Sequence, residues 1–310
     1  MADVTLTIDG QKVSVPEGIT VLEAAQQLGI FIPTFCYEKD LTAPGACRIC
    51  VVEIKGWRNL PPSCVTTVAN GMVIHTESPA VVEARKTILE LLVANHPLDC
   101  ITCEKSGNCK LQDYAYYYGV SGTAFEGEKH SYEPDDSNPY IYRDLNKCIL
   151  CGKCVATCRS VPERDVIDFA YRGFNTKIAT FMDTELKDST CVYCNRCVAI
   201  CPVGAIVDKT MMGKGRIWEL EKKQVTCTFC DSGCKFDVNY RNGKVVGVTA
   251  AGAGPGRPLC LKGRLGTDFA NNPDRTGLPL VNKDGEFVEV SWEEALDLGP
   301  IVDKINSLKK

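Results

Sequence analysis

Residues 4–8, Val-Thr-Leu-Thr-Ile, alternate apolar and polar side chains, the period-two pattern of a half-buried strand. An Asp9-Gly10 pair separates them from a second such run at 12–15 and predicts a hairpin. The period changes at Thr20: Val21, Leu22, Ala25 and Leu28 fall on one helical face, and Gly29 ends the helix. Residues 49–54 and 72–76 read as further short strands, so a small module of strands around one helix is expected to end near residue 78. Pro79 then opens a helix to about Asn95, whose apolar stripe of Val81, Ala84, Ile88, Leu91 and Leu92 suits docking of a neighbouring module.

The later pattern is more broken. Residues 120–140 are polar and turn-rich and read as a linker. Strand-like runs follow at 166–171 and 177–181, and another pair at 236–240 and 244–248 flanks the hairpin signal Asn242-Gly243. Gly252-Ala-Gly254-Pro-Gly256 fails the dinucleotide fingerprint, because Pro255 spoils a helix start, and reads as a loop. In the tail from 271, Ser291-x-x-Glu294 is a capping box for a helix that Gly299-Pro300 breaks. A second short helix is expected to the end, in a tail too short for a further domain.

Composition alters this picture at one point. The chain has 310 residues, 45% hydrophobic and 24% charged, with a formal net charge of −4. That balance argues against a nucleic-acid partner, which usually shows as a basic footprint. No apolar run reaches bilayer-spanning length, and the first residues lack the basic and apolar segments of a signal peptide, so a cytoplasmic location without membrane insertion is expected. The abnormal number is 19 cysteines. In a reducing compartment they are expected to hold metal rather than form disulfides.

The cysteines are grouped. Cys36, Cys47, Cys50 and Cys64 come first, then Cys100, Cys103 and Cys109 close behind His96. Two matched C-x2-C-x2-C-x3-C runs follow, Cys148, Cys151, Cys154, Cys158 and Cys191, Cys194, Cys197, Cys201, the second continuing into Pro202. Cys227, Cys230, Cys234 and Cys260 form the last group. With His96 as a ligand, the set closes on five four-donor sites with no cysteine left over. Such sets, built on C-x2-C pairs, also suit zinc. The two matched runs point to iron instead, since three thiolates on one tight loop suit a cubane and the fourth ligates the other cluster in two-cluster ferredoxins. By that rule Cys148, Cys151 and Cys154 share a site with Cys201, and Cys191, Cys194 and Cys197 share one with Cys158.

His75 and His130 lack cysteine company and are read as structural. Arg48, Lys110, Lys153, Arg196, Lys235 and Lys262 lie in or beside the ligand loops, where a cation favours the reduced form of a thiolate-rich cluster; the alternative is solvated surface charge. With every thiol assigned, no catalytic nucleophile remains, and neither a Ser-His-Asp set nor a P-loop is seen. No flavin, NAD or molybdopterin site is expected in this stretch, and no catalytic residue.

The order of these motifs resembles the iron–sulfur subunit of complex-I-type NADH dehydrogenases, the front half of [FeFe]-hydrogenases and the large subunit of NAD-linked formate dehydrogenases. The 36–64 pattern looks like their [2Fe–2S] site, and His96-x3-Cys100-x2-Cys103-x5-Cys109 like their histidine-ligated [4Fe–4S] site. Two complete four-cysteine runs resemble the hydrogenases and formate dehydrogenases more than the respiratory subunit. Cys227-Thr-Phe-Cys230-Asp-Ser-Gly-Cys234 with Cys260-Leu-Lys262-Gly263 resembles the amino-terminal [4Fe–4S] module of molybdopterin oxidoreductases.

The resemblance implies a modular α+β protein: a β-grasp [2Fe–2S] domain at 1–78, a helical histidine-ligated [4Fe–4S] module at 79–120, a linker at 121–140, a two-cluster ferredoxin-like domain at 141–213, a small β-rich [4Fe–4S] module at 214–270 and a tail at 271–310. In the formate dehydrogenases the Ser291-Trp-Glu-Glu-Ala-Leu stretch leads into the molybdopterin domain; here the expectation is a chain without that domain, which leaves Lys262, a family lysine between cluster and pterin, without its usual role.

The implied cofactors are one [2Fe–2S] and four [4Fe–4S] clusters. The implied partners are a flavin-bearing NADH-oxidising subunit and a small [2Fe–2S] subunit, with ferredoxin or a second flavoprotein as further candidates. The expected function is electron relay in a soluble multisubunit NAD(P)H- or ferredoxin-linked oxidoreductase, electron bifurcation included among its settings. The rivals are the amino-terminal part of a formate dehydrogenase and a zinc-stabilised scaffold.

Overall fold

The computed structural model describes residues 3–251, 259–266, 268–272, 274 and 277–308, so the expected glycine-rich loop at 252–256 lies outside the described residues. The chain divides into two compact units, Met1–Leu265 and Gly266–Lys310. Among the described residues no helix is long and apolar enough to cross a membrane.

The first unit opens with β1 (Asp3–Ile8) and β2 (Gln11–Pro16), paired antiparallel through the expected Asp9-Gly10 turn. α1 (Val21–Gln27) is started by a full capping box, in which Thr20 accepts from the Glu23 N–H and Glu23 accepts from the Thr20 N–H. β3 (Glu53–Ile54) and β4 (Val73–His75) complete a mixed sheet in the order β2-β1-β4-β3, with β4 parallel to β1. Leu6, Ile8, Val21, Leu22, Ile54 and Ile74 are buried between sheet and helix. The expected strand at 49–54 is shorter: only Glu53 and Ile54 join the sheet. Residues 49–52 are buried but spend their hydrogen bonds on the cysteine loop, where Ser63 donates through N and Oγ to Cys50 O.

α2 (Pro79–Asn95) has Ser78 as N-cap and Pro79 in its first turn, as expected, and ends at His96. Its buried line differs from the expected stripe. Val81, Arg85, Leu89 and Val93 face inward, while Leu91 is exposed. A guanidinium can occupy this line because both of its terminal nitrogens find acceptors there. Arg85 donates to Glu77 at 2.5 Å, to the Tyr118 hydroxyl at 2.7 Å and to Val51 O at 2.8 Å. α3 (Lys110–Tyr117), unexpected from the pattern, packs Leu111 and Tyr114 against Phe35.

The 120–140 stretch is irregular, and side chains tie it down: Asn95 accepts from the His130 N–H and Asn146 from the Tyr132 N–H. Beyond it, β5 (Ile141–Arg143), α4 (Lys153–Ser160), the hairpin β6 (Ile167–Ala170) and β7 (Lys177–Thr180), α5 (Arg196–Ile200) and β8 (Ile206–Asp208) surround the two matched cysteine runs, with β5 and β8 antiparallel. Each run repeats one backbone device. Leu150 and Gly152 in the first, and Tyr193 and Asn195 in the second, have positive φ, which closes the loop before its helix.

β9 (Glu221–Thr226), β10 (Lys235–Arg241) and β11 (Lys244–Ala250) form an antiparallel sheet in the order β11-β10-β9, followed by the short α6 (Leu261–Leu265). Cys227, Phe236, Val238, Val248 and Leu259 make its core. In the second unit, β12 (Leu280–Lys283) and β13 (Glu286–Glu289) form a hairpin, Ser291 caps α7 (Trp292–Ala295), and α8 (Gly299–Leu308) begins at the expected break.

Because Arg85 joins the first module to α2 and α3 and its removal leaves the buried Val51 carbonyl without this donor, Arg85→Met is expected to lower stability by about 2 kcal/mol. A drop in the urea unfolding midpoint at unchanged slope measures this; an unmoved midpoint would show that the three bonds are worth nothing net.

Candidate metal-cluster sites

Cys36, Cys47, Cys50 and Cys64 come from two loops of the first module, which bring all four together. Their thiols are near neighbours, Cys36 beside Cys47 and Cys64, and Cys64 beside Cys50. Hydrogen bonds from its neighbours pull Cys36 well below, and Cys50 below, the usual thiol range, while the same contacts and burial push Cys47 and Cys64 up. Among the described residues no three Cys, His, Asp or Glu side chains close on one point as the ligands of a single ion do.

The two matched runs fold as a crossed pair. A largely apolar cavity is lined by Cys148, Cys151, Cys154 and Cys201, with Ile149, Ile178 and Ile206 among its walls. Burial pushes the Cys148 thiol up to about 11 and Cys151 to about 12, and Cys154 is raised further by burial and by its three companions. Cys158 stands with Cys191, Cys194 and Cys197, and burial again raises Cys158, Cys191 and Cys197. Cys197 is also within electrostatic reach of Cys154 and Cys201, so the quartets are neighbours. The loops are matched in detail: Leu150 N–H donates to Cys148 Sγ and Tyr193 N–H to Cys191 Sγ, each at 3.4 Å.

His96 is buried at the end of α2, and its burial lowers the imidazole pKa, keeping the ring neutral. The Leu98 N–H donates to Nδ1 at 3.2 Å, and Nε2 is buried with no partner. In this arrangement the ring proton sits on Nε2, so ligation through that atom requires the proton to leave or to move to Nδ1. Cys103 stands within electrostatic reach of both Cys100 and Cys109. Their loop is held from a distance: the Arg216 guanidinium donates to Cys103 O at 2.6 Å and to Ile101 O at 2.7 Å. At Gly107 (φ +81°) a Cβ would meet the Trp218 ring at 2.6 Å, and at Gly204 a Cβ would stand 2.6 Å from Cys103 Sγ. Gly204 follows Cys201 by three residues, so the bare glycine lets this loop touch the crossed pair.

The last group is looser. Cys227 is buried, with its N–H donating to Cys234 O at 2.7 Å and its Sγ 3.5 Å from where a Gly263 Cβ would stand. Cys230 and Cys260 are exposed. The Ser232 hydroxyl lowers the Cys230 thiol, and Lys262 adds to this from α6. Of the six flagged cations, Lys153 and Arg196 are buried and Lys110 half-buried, whereas Arg48, Lys235 and Lys262 are exposed. His75 is exposed on β4, and His130 packs on Phe174 with ring centroids 4.1 Å apart. Glu38, Gly204, Arg216 and Arg264 were not among the sequence candidates. Only Gly204, just past a Cys-Pro pair, carried any local signal.

Four stretches match known families: residues 1–79 a 2Fe-2S iron-sulfur cluster binding domain, 85–123 the NADH-ubiquinone oxidoreductase-G iron-sulfur binding region, 147–205 a 4Fe-4S dicluster domain, and 220–272 the molybdopterin oxidoreductase Fe4S4 domain. The chain is 40% identical over 298 residues to an NADH-quinone oxidoreductase subunit of Rhizobium meliloti, covering 95% of this chain and 35% of that protein. It is 37% identical over 302 residues to the NADP-reducing hydrogenase subunit HndD of Solidesulfovibrio fructosivorans, covering 93% and 50%. It therefore spans about a third to a half of the length of these curated relatives. A chain of an NAD+-reducing [NiFe]-hydrogenase, solved in the H2-reduced state, is 33% identical with a TM-score of 0.65, covering 70% of this chain and 92% of that one.

Gly204→Ala is expected to drive Cys103 from its buried place, since the new methyl and Sγ cannot share the space. In the metal-free protein, alkylation of Cys103 followed by peptide mass spectrometry should accelerate severalfold over the parent, with Cys36 unaffected; equal rates would show that the loops part without cost.

Proposed function

Because the chain belongs to the iron–sulfur subunit family of complex-I-type NADH dehydrogenases and NAD-linked hydrogenases, we propose that it is the electron-relay part of a multisubunit NAD(P)H-linked oxidoreductase. The β2-β1-β4-β3 sheet with α1 is then a β-grasp domain holding one [2Fe–2S] cluster through Cys36, Cys47, Cys50 and Cys64. Four [4Fe–4S] clusters are assigned to His96, Cys100, Cys103 and Cys109; to Cys148, Cys151, Cys154 and Cys201; to Cys158, Cys191, Cys194 and Cys197; and to Cys227, Cys230, Cys234 and Cys260. The partners on this reading are a flavin-bearing NADH-oxidising subunit and a small [2Fe–2S] subunit.

The donor chemistry fits these groups. Four neighbouring thiols from two loops suit two irons with two thiolates each. A buried imidazole nitrogen without a partner suits a metal bond. The observation that carries the reading is the apolar cavity walled by Cys148, Cys151, Cys154 and Cys201, three thiols from one loop and the fourth from the end of the other run.

Bound clusters of these types supply one-electron carriers whose potentials depend on charge, hydrogen bonds to sulfur and exposure. The protein's part is to place and tune them. Leu150 and Tyr193 direct backbone N–H groups at Cys148 and Cys191, which stabilises thiolate sulfur. Cys197 keeps the two crossed quartets adjacent, Gly204 keeps the His96 loop against them, and Phe35 and Ile49 pack the 36–64 loops into the same apolar core as Cys151 and Cys154. The quartet of Cys148, Cys151, Cys154 and Cys201 thereby adjoins three others.

Anaerobic reconstitution should load about 18 irons per chain. Cys201→Ala should lose about four of them, with the [2Fe–2S] signal kept in electron paramagnetic resonance spectra. A colourless protein holding about one zinc per site would sink the reading, as would Cys201→Ala with a full iron load.

A further inference from the structure

Lys153 lies between Cys151 and Cys154, and Glu38 two residues beyond Cys36, in different modules. Lys153 Nζ is 2.6 Å from Glu38 Oε2, with side chains 4% and 18% exposed. The pair sits at the seam where Phe35, Cys36 and Ile49 share an apolar core with Cys151 and Cys154. Lys110 stands beside it, half-buried, within electrostatic reach of Lys153, Glu38, Cys47 and Cys151. Two ammonium groups and one carboxylate thus leave a net positive island between two thiolate quartets. Nothing in docking alone demands it, since an apolar pair of similar volume holds a seam as well as a buried ion pair does.

We propose that Lys153 and Glu38 jointly set the reduction potentials of the Cys36/47/50/64 site and the Cys148/151/154/201 site. The inference rests on the cluster assignment above. Each one-electron reduction adds a negative charge to its quartet. Lys153, screened little by solvent at this depth, lowers the energy of the added electron at both. Glu38 opposes that effect and holds the ammonium between the quartets. The two residues are positioning and tuning groups, not ligands.

The pair therefore acts with opposite signs, which a merely structural role does not. In the full chain after anaerobic reconstitution, redox titration followed by electron paramagnetic resonance should give lower midpoints for both clusters in Lys153→Met. Both should be higher in Glu38→Gln, where the lysine is left uncompensated. Lys153→Arg should restore the parent values, and Lys187→Met, which removes an exposed pairing with Glu185, should leave them unmoved. Should Lys153→Met fail to load, Glu38→Gln, which keeps the lysine, still decides the matter. Shifts of the same sign in both variants, or none in proteins that keep both signals, would overturn the inference alone. A parent chain without both signals would overturn the cluster assignment beneath it.

Discussion

Sulfur donors that ligate as thiolates are folded here into an apolar core, and much of the remaining arrangement answers that constraint. Cys154 and Cys197 are deep enough that burial and neighbouring thiols drive their pKa far up, so the metal-free chain holds them neutral. Deprotonating such a quartet without compensation leaves several buried like charges, each costing several kcal/mol. On the proposed assignment iron would supply most of the compensation, and protein dipoles and cations the rest: the paired N–H···S bonds at Leu150 and Tyr193, and the buried cations Lys153 and Arg196. That assignment would couple folding to metal loading.

A second consequence concerns how the modules meet. The largest apolar core draws residues from Phe35 to Ile206, so the cysteine groups up to Cys201 share an interior, while the β9–β11 sheet keeps a small core of its own. Apolar burial has no direction, whereas the proposed relay requires the quartets to keep fixed distances. Direction comes from polar ties between residues distant in sequence. Arg85 joins Val51 and Tyr118, Lys153 joins Glu38, Lys147 reaches Asp99 at 2.7 Å, and Arg216 grips the Cys100–Cys109 loop. All but one of these ties have a partner inside a cysteine group or within two residues of it, so the geometry of the seams is also the geometry of the sites.

Much of this was legible before folding, and unevenly so. The hairpin of β1 and β2, α1 with its capping box and the hairpin of β10 and β11 carry their turn and cap chemistry locally, so spacing alone announces them. The donor groups were legible because C-x2-C spacing is imposed by the loop itself. The strand expected over 49–54 shrank to two residues because a cysteine loop took its backbone bonds. The stripe on α2 was misplaced because Arg85, polar by composition, is made apolar in effect by three partners that lie 8 to 34 residues away. α3, dense in tyrosine, gave no stripe. Glu38 and Arg216 were invisible for the same reason as Arg85: their partners are set by tertiary packing, and nothing nearby in sequence marks them.

The last cysteine group shows what a polar tie adds where apolar packing is thin. Cys230 and Cys260 are exposed, and the core beside them is small. Yet Arg264, four residues past Cys260, is almost wholly buried against Asp208 at 3.0 Å and donates to Tyr193 O at 2.6 Å. The same Asp208 accepts from the side chain of Asn195, whose positive φ shapes the loop between Cys194 and Cys197. One carboxylate thus orders the ligand loop of one quartet and anchors the helix that follows the final cysteine of another. Removing either partner strands a buried charge, so α6 cannot shift without disturbing the 191–197 loop. The most exposed of the five groups is fixed to its neighbour by charge rather than by packing.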